Sequence, residues 1–170
     1  MEYAFEGIEP AVHSTAAVCA EATLIGDVTV AEESSVWPGA VLRGDVGPVR
    51  IGPRSHVEDN CVLHHASVGE EVMLGHGAVL NGASVGDRVL VGMNSTINMD
   101  ASIGDRCIVA PNAVVPQGRE VPDESFVRGV PAEVIPAAET PHDVDDVLET
   151  YSPSFYADLA SRHEALFDRD

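Results

Sequence analysis

The sequence predicts an all-β fold, a parallel β-helix of hexapeptide repeats closed by a C-terminal α-helix or helices. Three observations carry this. Aliphatic residues recur every six positions at Val18, Leu24, Val30, Val36 and Leu42, at Ile51, Val57 and Leu63, and at Val68, Leu74 and Leu80. The run then continues unbroken through Val85, Val91, Ile97, Ile103, Val109, Val115 and Val121. Neither the helical period nor strand alternation gives that spacing, whereas a solenoid with one short strand and one corner per six residues does. Small residues four places on (Ala22, Ser34, Ala40, Ser95, Ala101, Cys107, Ala113) form the second observation. The third is a Gly or Asn following the aliphatic (Gly26, Gly52, Gly69, Gly86, Gly92, Asn98, Gly104), where the backbone is expected to turn.

Three sixes close one triangular coil, so the aliphatics stack inside as Val57 on Leu74, Leu63 on Leu80 and Val68 on Val85. The rhythm slips at Leu42 to Ile51, a step of nine, and at Leu63 to Val68 and Leu80 to Val85, steps of five. Slips are where loops leave or corners tighten, hence candidate functional edges. After Val121 the period ends, and Arg128 to Pro136 reads as an extended exit strand broken by prolines. Two helices are expected next. Thr140 caps the first, with Pro141 at its first position and Val144, Val147, Leu148 and Tyr151 on one face; Ser152 or Ser154 starts the second, through Tyr156, Leu159 and Leu166. The expected division is a β-helix over residues 1–136 and a helical segment over 137–170 packed on it.

Composition narrows the function. Nine Arg, no Lys and 28 acidic residues give a formal charge of -19, a field that repels nucleic acid and anionic membrane and that high salt relieves. A halophilic source is expected. The opening MEYAFEGIEP has acids and no apolar run, so a cytoplasmic location without signal peptide or membrane span is expected. Cys19, Cys61 and Cys107 form no CxxC pair and read as small core residues.

Among the seven histidines, His64 and His76 occupy near-equivalent places in successive repeats. Side chains beside an inward aliphatic point outward, so His64 and Asn81 stack on one face while His76 projects from another. A single chain keeps the two histidines apart, whereas a closed ring of three brings His76 of one chain to His64 and Asn81 of the next. His65 is expected to turn into the corner, and His13, His142 and His163 to be solvated.

RGD at Arg43 to Asp45, VEDNCVLH at Val57 to His64, LGHGAVLNG at Leu74 to Gly82 and VGMNS at Val91 to Ser95 together resemble the γ-class carbonic anhydrases and their close hexapeptide-repeat relatives. The likeness runs from about Gly7 to Pro136. It implies a left-handed β-helix, a homotrimer, and zinc (or another divalent metal such as iron or cobalt) held by three histidines across the subunit interface. Carried over, His64 and His76 are two of these ligands, and the third falls on Asn81. The resemblance further implies an Arg43–Asp59 pair across the interface, Asp45 supporting the RGD corner, and Glu58 accepting a proton from metal-bound water. The chain departs from the family pattern in reading His56-Val57-Glu58-Asp59 for Asn-x-Gln-Asp, and in cutting the acidic loop after the first histidine to Ala66-Ser67. His56 and Glu58 flank Val57 and are expected on one face below His76, with Glu58 the favoured substitute ligand and His56 the second choice, because a carboxylate suits zinc better than an amide.

The activity this implies is reversible hydration of carbon dioxide, a small-molecule reaction at a trimer interface. A hexapeptide acyltransferase using a CoA thioester and a histidine base, and a catalytically silent trimeric scaffold or small-anion binder, are the alternatives. Nucleic acid and membrane are not expected as partners.

Overall fold

The computed structural model describes residues 1–141 and 144–167. The chain winds as a triangular parallel solenoid with three strand faces. The first face carries Val62–His64, Val79–Asn81, Thr96–Ile97 and Val114–Val115, and the second carries Ser67–Val68, Ser84–Val85, Ser102–Ile103 and Glu120–Val121. Ala17–Val18, Ser35–Val36, His56–Val57, Met73–Leu74, Leu90–Val91, Ile108–Val109 and Ser125–Arg128 make the third. Two long strands, Thr23–Val30 and Val41–Ile51, bend around a corner and belong to the first and second faces at once. All expected stacks are present: Val57 faces Leu74, Leu63 faces Leu80 and Val68 faces Val85 in parallel register.

Every member of the aliphatic ladder is at most 4% exposed. Each such side chain contributes about 1.5–3 kcal/mol relative to leaving it in water, so the inner column supplies one continuous core. The small residues four places on are buried because they sit inside the corners, where a larger side chain would meet the coil above. Cys19, Cys61 and Cys107 are free and buried; burial pushes the Cys61 thiol up to about 12.

The structure corrects the turn chemistry. The left-handed residue comes three places after the aliphatic, at Arg54, Glu71, Arg88 and Arg106 on one edge and at Asn60, Gly77, Asn94 and Asn112 on another. Gly52, Gly86 and Gly104 stand where they do for a different reason, since a Cβ there would overlap the adjacent coil. On that edge Asp87, Asp105 and Asp123 each accept a backbone N–H from the coil before at 2.8 Å. The five-residue steps shorten the corner by one residue, putting the left-handed conformation on His65 and Gly82. The nine-residue step releases no loop: its extra residues lengthen the strand Val41–Ile51, whose Val46 is 75% exposed.

The exit is a hairpin rather than one extended strand. Gly129 turns at positive φ, and Glu133–Pro136 returns antiparallel along Ser125–Arg128, covering the last sheet edge. A 3-10 turn, Ala137–Glu139, ends at Thr140, whose hydroxyl donates to Ala137 O at 2.8 Å. Thr140 thus closes that turn, and the first helix is described from Val144: α1 Val144–Thr150, α2 Pro153–Arg162 with Ser152 at its N-cap, α3 Glu164–Phe167. His142 lies outside the described residues. This C-terminal strap lies on the third face, where Tyr156 and Ala160 join Trp37 and Met73 in a second apolar cluster, and Asp145 reaches Arg106 at 3.0 Å. Among the described residues no helix is long and apolar enough to cross a membrane.

Candidate functional site

On the first face, parallel pairing puts Arg43, His64 and Asn81 in one outward column, one residue per coil. The bend that follows Arg43 brings Asp45 back over His64. His64 Nε2–H donates to Asp45 Oδ1 at 2.9 Å, and Arg43 Nη1 donates to Asp45 Oδ2 at 2.7 Å. Arg43 Nη2 also approaches His64 Nδ1 at 3.4 Å. Partial burial works to raise the Asp45 carboxyl, but the hydrogen bonds from Arg43 and His64 outweigh it and hold it below the usual carboxylate range. Asp45 therefore braces His64 besides shaping the RGD corner.

His76 stands at the corner that follows the third face. Its Nδ1–H donates to Asp59 Oδ2 at 2.9 Å, with Glu58 Oε2 at 3.3 Å, and its backbone N–H donates to the same Glu58 oxygen at 3.0 Å. The His76 side chain is 54% exposed and Glu58 only 9%. Asp59 is thus a partner of His76 within one chain, and Arg43 is taken by Asp45. The sequence reading missed both bonds, although the register of the coils contains them: Asp59 and His76 lie 17 positions apart, one coil shortened by one.

His56 departs from its expected position. It lies beneath Met73 rather than His76 and is 1% exposed, because the alternation that turns it outward holds only inside its two-residue strand, and on the third face outward means under the strap. Its Nδ1 is hydrogen-bonded to Ser35 Oγ at 2.7 Å, Trp37 Nε1–H donates to that same oxygen at 2.8 Å, and its ring stacks on Tyr156 at 5.5 Å. His56 serves the strap, not the corner. His65 sits against Gly47 at the shortened corner, away from His64's partners.

Within one chain, no three His, Cys, Asp or Glu side chains among the described residues stand together so as to hold a metal ion. His76 has one ring nitrogen on a carboxylate and Nε2 open to the outside, the arrangement that orients metal-ligating histidines. His64 is braced likewise, and its Nδ1 faces the exposed Arg43 guanidinium at 3.4 Å. Asn81 adds an amide oxygen. Glu58 lies on the Nδ1 side of the His76 ring, so the imidazole stands between its carboxylate and anything bound at Nε2.

The profile of the bacterial transferase hexapeptide family (six repeats) matches residues 82–117. Over 119 residues the chain is 45% identical to a protein named "Probable carbonic anhydrase" from Methanocaldococcus jannaschii, a match covering 67% of this chain and 75% of that one. It is 41% identical over 100 residues to the carnitine operon protein CaiE of Escherichia coli, covering 56% of this chain and about half, 51%, of the relative. A crystal structure of a "putative acetyltransferase" from Bacillus cereus superposes with a TM-score of 0.90 at 32% identity, covering 98% of both chains. With the repeat ladder, the triangular coil and these matches together, the chain belongs to the hexapeptide-repeat transferase family of left-handed β-helix proteins.

Proposed function

We propose that the chain works as a homotrimer and hydrates carbon dioxide at the seams between protomers, in the manner of a γ-class carbonic anhydrase with an altered ligand set. The supporting observation is that both imidazoles are braced by carboxylates, His64 by Asp45 and His76 by Asp59, with His76 Nε2 left open and His64 Nδ1 facing the Arg43 guanidinium at 3.4 Å. Such bracing fixes the tautomer and ring orientation and raises basicity. In this reading His64 of one protomer, His76 of the next and Asn81 are the residues that would hold zinc or another divalent ion, which when bound supplies an acidified water. The chain's own residues do the rest. Asp59 keeps the His76 proton on Nδ1, Asp45 keeps the His64 proton on Nε2, and Arg43 offers the wall a guanidinium for the product anion. Glu58, nine-tenths buried, fixes the corner by holding the His76 backbone N–H.

Metal analysis, light scattering and stopped-flow hydration assays on protein purified in molar salt test this. A trimer carrying substoichiometric metal with slow hydration is expected, and Asn81→His should raise both metal content and rate. A monomer, or a trimer whose Asn81→His form takes up no more metal, would overturn it and leave the silent scaffold in front.

A second reading, acyl transfer, is favoured by the full-length likeness to the Bacillus cereus protein. An imidazole held at Nδ1 by a carboxylate with Nε2 open also suits a general base toward a hydroxyl or amine acceptor. Release of free thiol from a CoA thioester, unaffected by chelator and lost in His76→Ala, would support that reading over the first.

A further inference from the structure

Between the third face and the strap lies a cavity of about 540 Å³, lined mostly by residues that the seam chemistry does not use. One wall is built from Met73, Leu90, Ile108 and Phe126, the outward residues of four successive coils, and the other includes Val147 and Tyr151 of the strap. Neighbouring strands lie about 4.8 Å apart, so the four rungs form an apolar trough about 14 Å long. Outward positions of a solenoid are ordinarily polar where they meet water, and four large apolar ones in a row require a cover. The strap supplies it only in part, leaving the cavity between.

The two ends of this trough differ. Phe126 closes one. At the other stand Glu58, His76 and Tyr156, whose hydroxyl lies near the Glu58 carboxylate. Burial and the Glu58 charge both push the Tyr156 phenol up, so it remains a neutral donor. Among the described residues Glu58 is the only acid lining the cavity and no arginine lines it, and Asp59 lies just beyond on His76. An apolar molecule ending in a carboxylate would put its charge against Glu58, whereas one ending in an ammonium group would be met by a carboxylate in surroundings that screen the attraction little.

We propose that this cavity binds an elongated amphipathic amine, its apolar body along Met73, Leu90, Ile108 and Phe126 and its ammonium group at Glu58. Large apolar walls with a few placed polar groups are the ordinary make-up of small-molecule sites. The event is binding alone, and it requires neither a metal nor turnover at the seam.

Titration calorimetry of the whole chain in molar salt, with decylammonium, decanol and decanoate as probes, tests the assignment. Decylammonium should saturate at one per protomer, with decanoate at least tenfold weaker. Along a series of n-alkylammonium ions the affinity gained per carbon should cease once the chain fills the trough. Ile108→Trp, which fills the middle of the cavity, should remove binding, and Glu58→Gln should weaken decylammonium at least tenfold while leaving decanol unchanged. Should either variant fail to fold, the chain-length series and the contrast between amine and acid still decide. Equal binding of decanoate, a gain that continues past the trough length, unsaturable uptake or no uptake would each overturn the proposal.

Discussion

The second and third faces of this solenoid are built on the same inner ladder and end in opposite surfaces. Pointing away from the core, the second face carries Arg50, Ser67, Ser84, Ser102 and Glu120, all at least partly in water. The third carries Ser35, His56, Met73, Leu90, Ile108 and Phe126, and of these Ser35, His56, Met73 and Ile108 are buried. The difference teaches that winding and docking are separately encoded. Inward aliphatics make the coil, and the residue before each aliphatic decides whether that face is left wet or accepts the C-terminal strap. His56 illustrates the second rule: at an outward position of the third face its imidazole is buried, bonded to Ser35 under Tyr156.

The comparison can be broken first at what the faces share. Leu80→Ala, in the inner ladder, should cost about 2–5 kcal/mol in denaturant melts through transfer and cavity terms, and Leu74→Ala, below the third face, should cost about the same. A several-fold gap between the two would mean that the faces do not share one core.

Next comes a charge placed on each surface. Ile108→Asp buries a carboxylate under the strap and should cost about 2 kcal/mol or more, with the strap becoming sensitive to proteolysis. Ser102→Asp, at the corresponding outward position of the second face, should stay within about 0.5 kcal/mol.

Ser35→Ala sharpens the contrast further. It leaves Trp37 Nε1–H and His56 Nδ1 without their shared partner, and should cost about 1–3 kcal/mol; Ser84→Ala, exposed on the second face, should be neutral by the same melt.

The smallest effect is electrostatic. Asp145→Asn removes the ion pair of the strap with Arg106, both partly exposed, and should cost less than about 1 kcal/mol, vanishing in molar salt. The intact chain should run the other way, melting higher in molar salt than at about 0.1 M, because a charge of -19 repels itself through the longer Debye length of dilute buffer. A melting temperature indifferent to salt would remove the halophilic expectation.

The sequence by itself determined the coil. A six-residue period in aliphatics admits few other solutions, and because register in a parallel solenoid follows from counting, it also set Val57 under Leu74 and His64 under Asn81. What counting did not reach was every feature that depends on a side chain leaving its own strand. The corners are four-residue segments, two at the shortened ones, each with one left-handed residue, and there alternation stops, so Glu58 and Asp59 turn under His76 while His56 goes to the strap. The bracing of His64 needs Asp45 to fold back around a bend, and the hairpin at Gly129 needs an open sheet edge to pair with. The strap's place was decided by tertiary contact alone, since α1 and α2 are short helices, seven and ten residues long. Helices of that length gain most of their stability from the surface they cover, here the apolar trough of the third face.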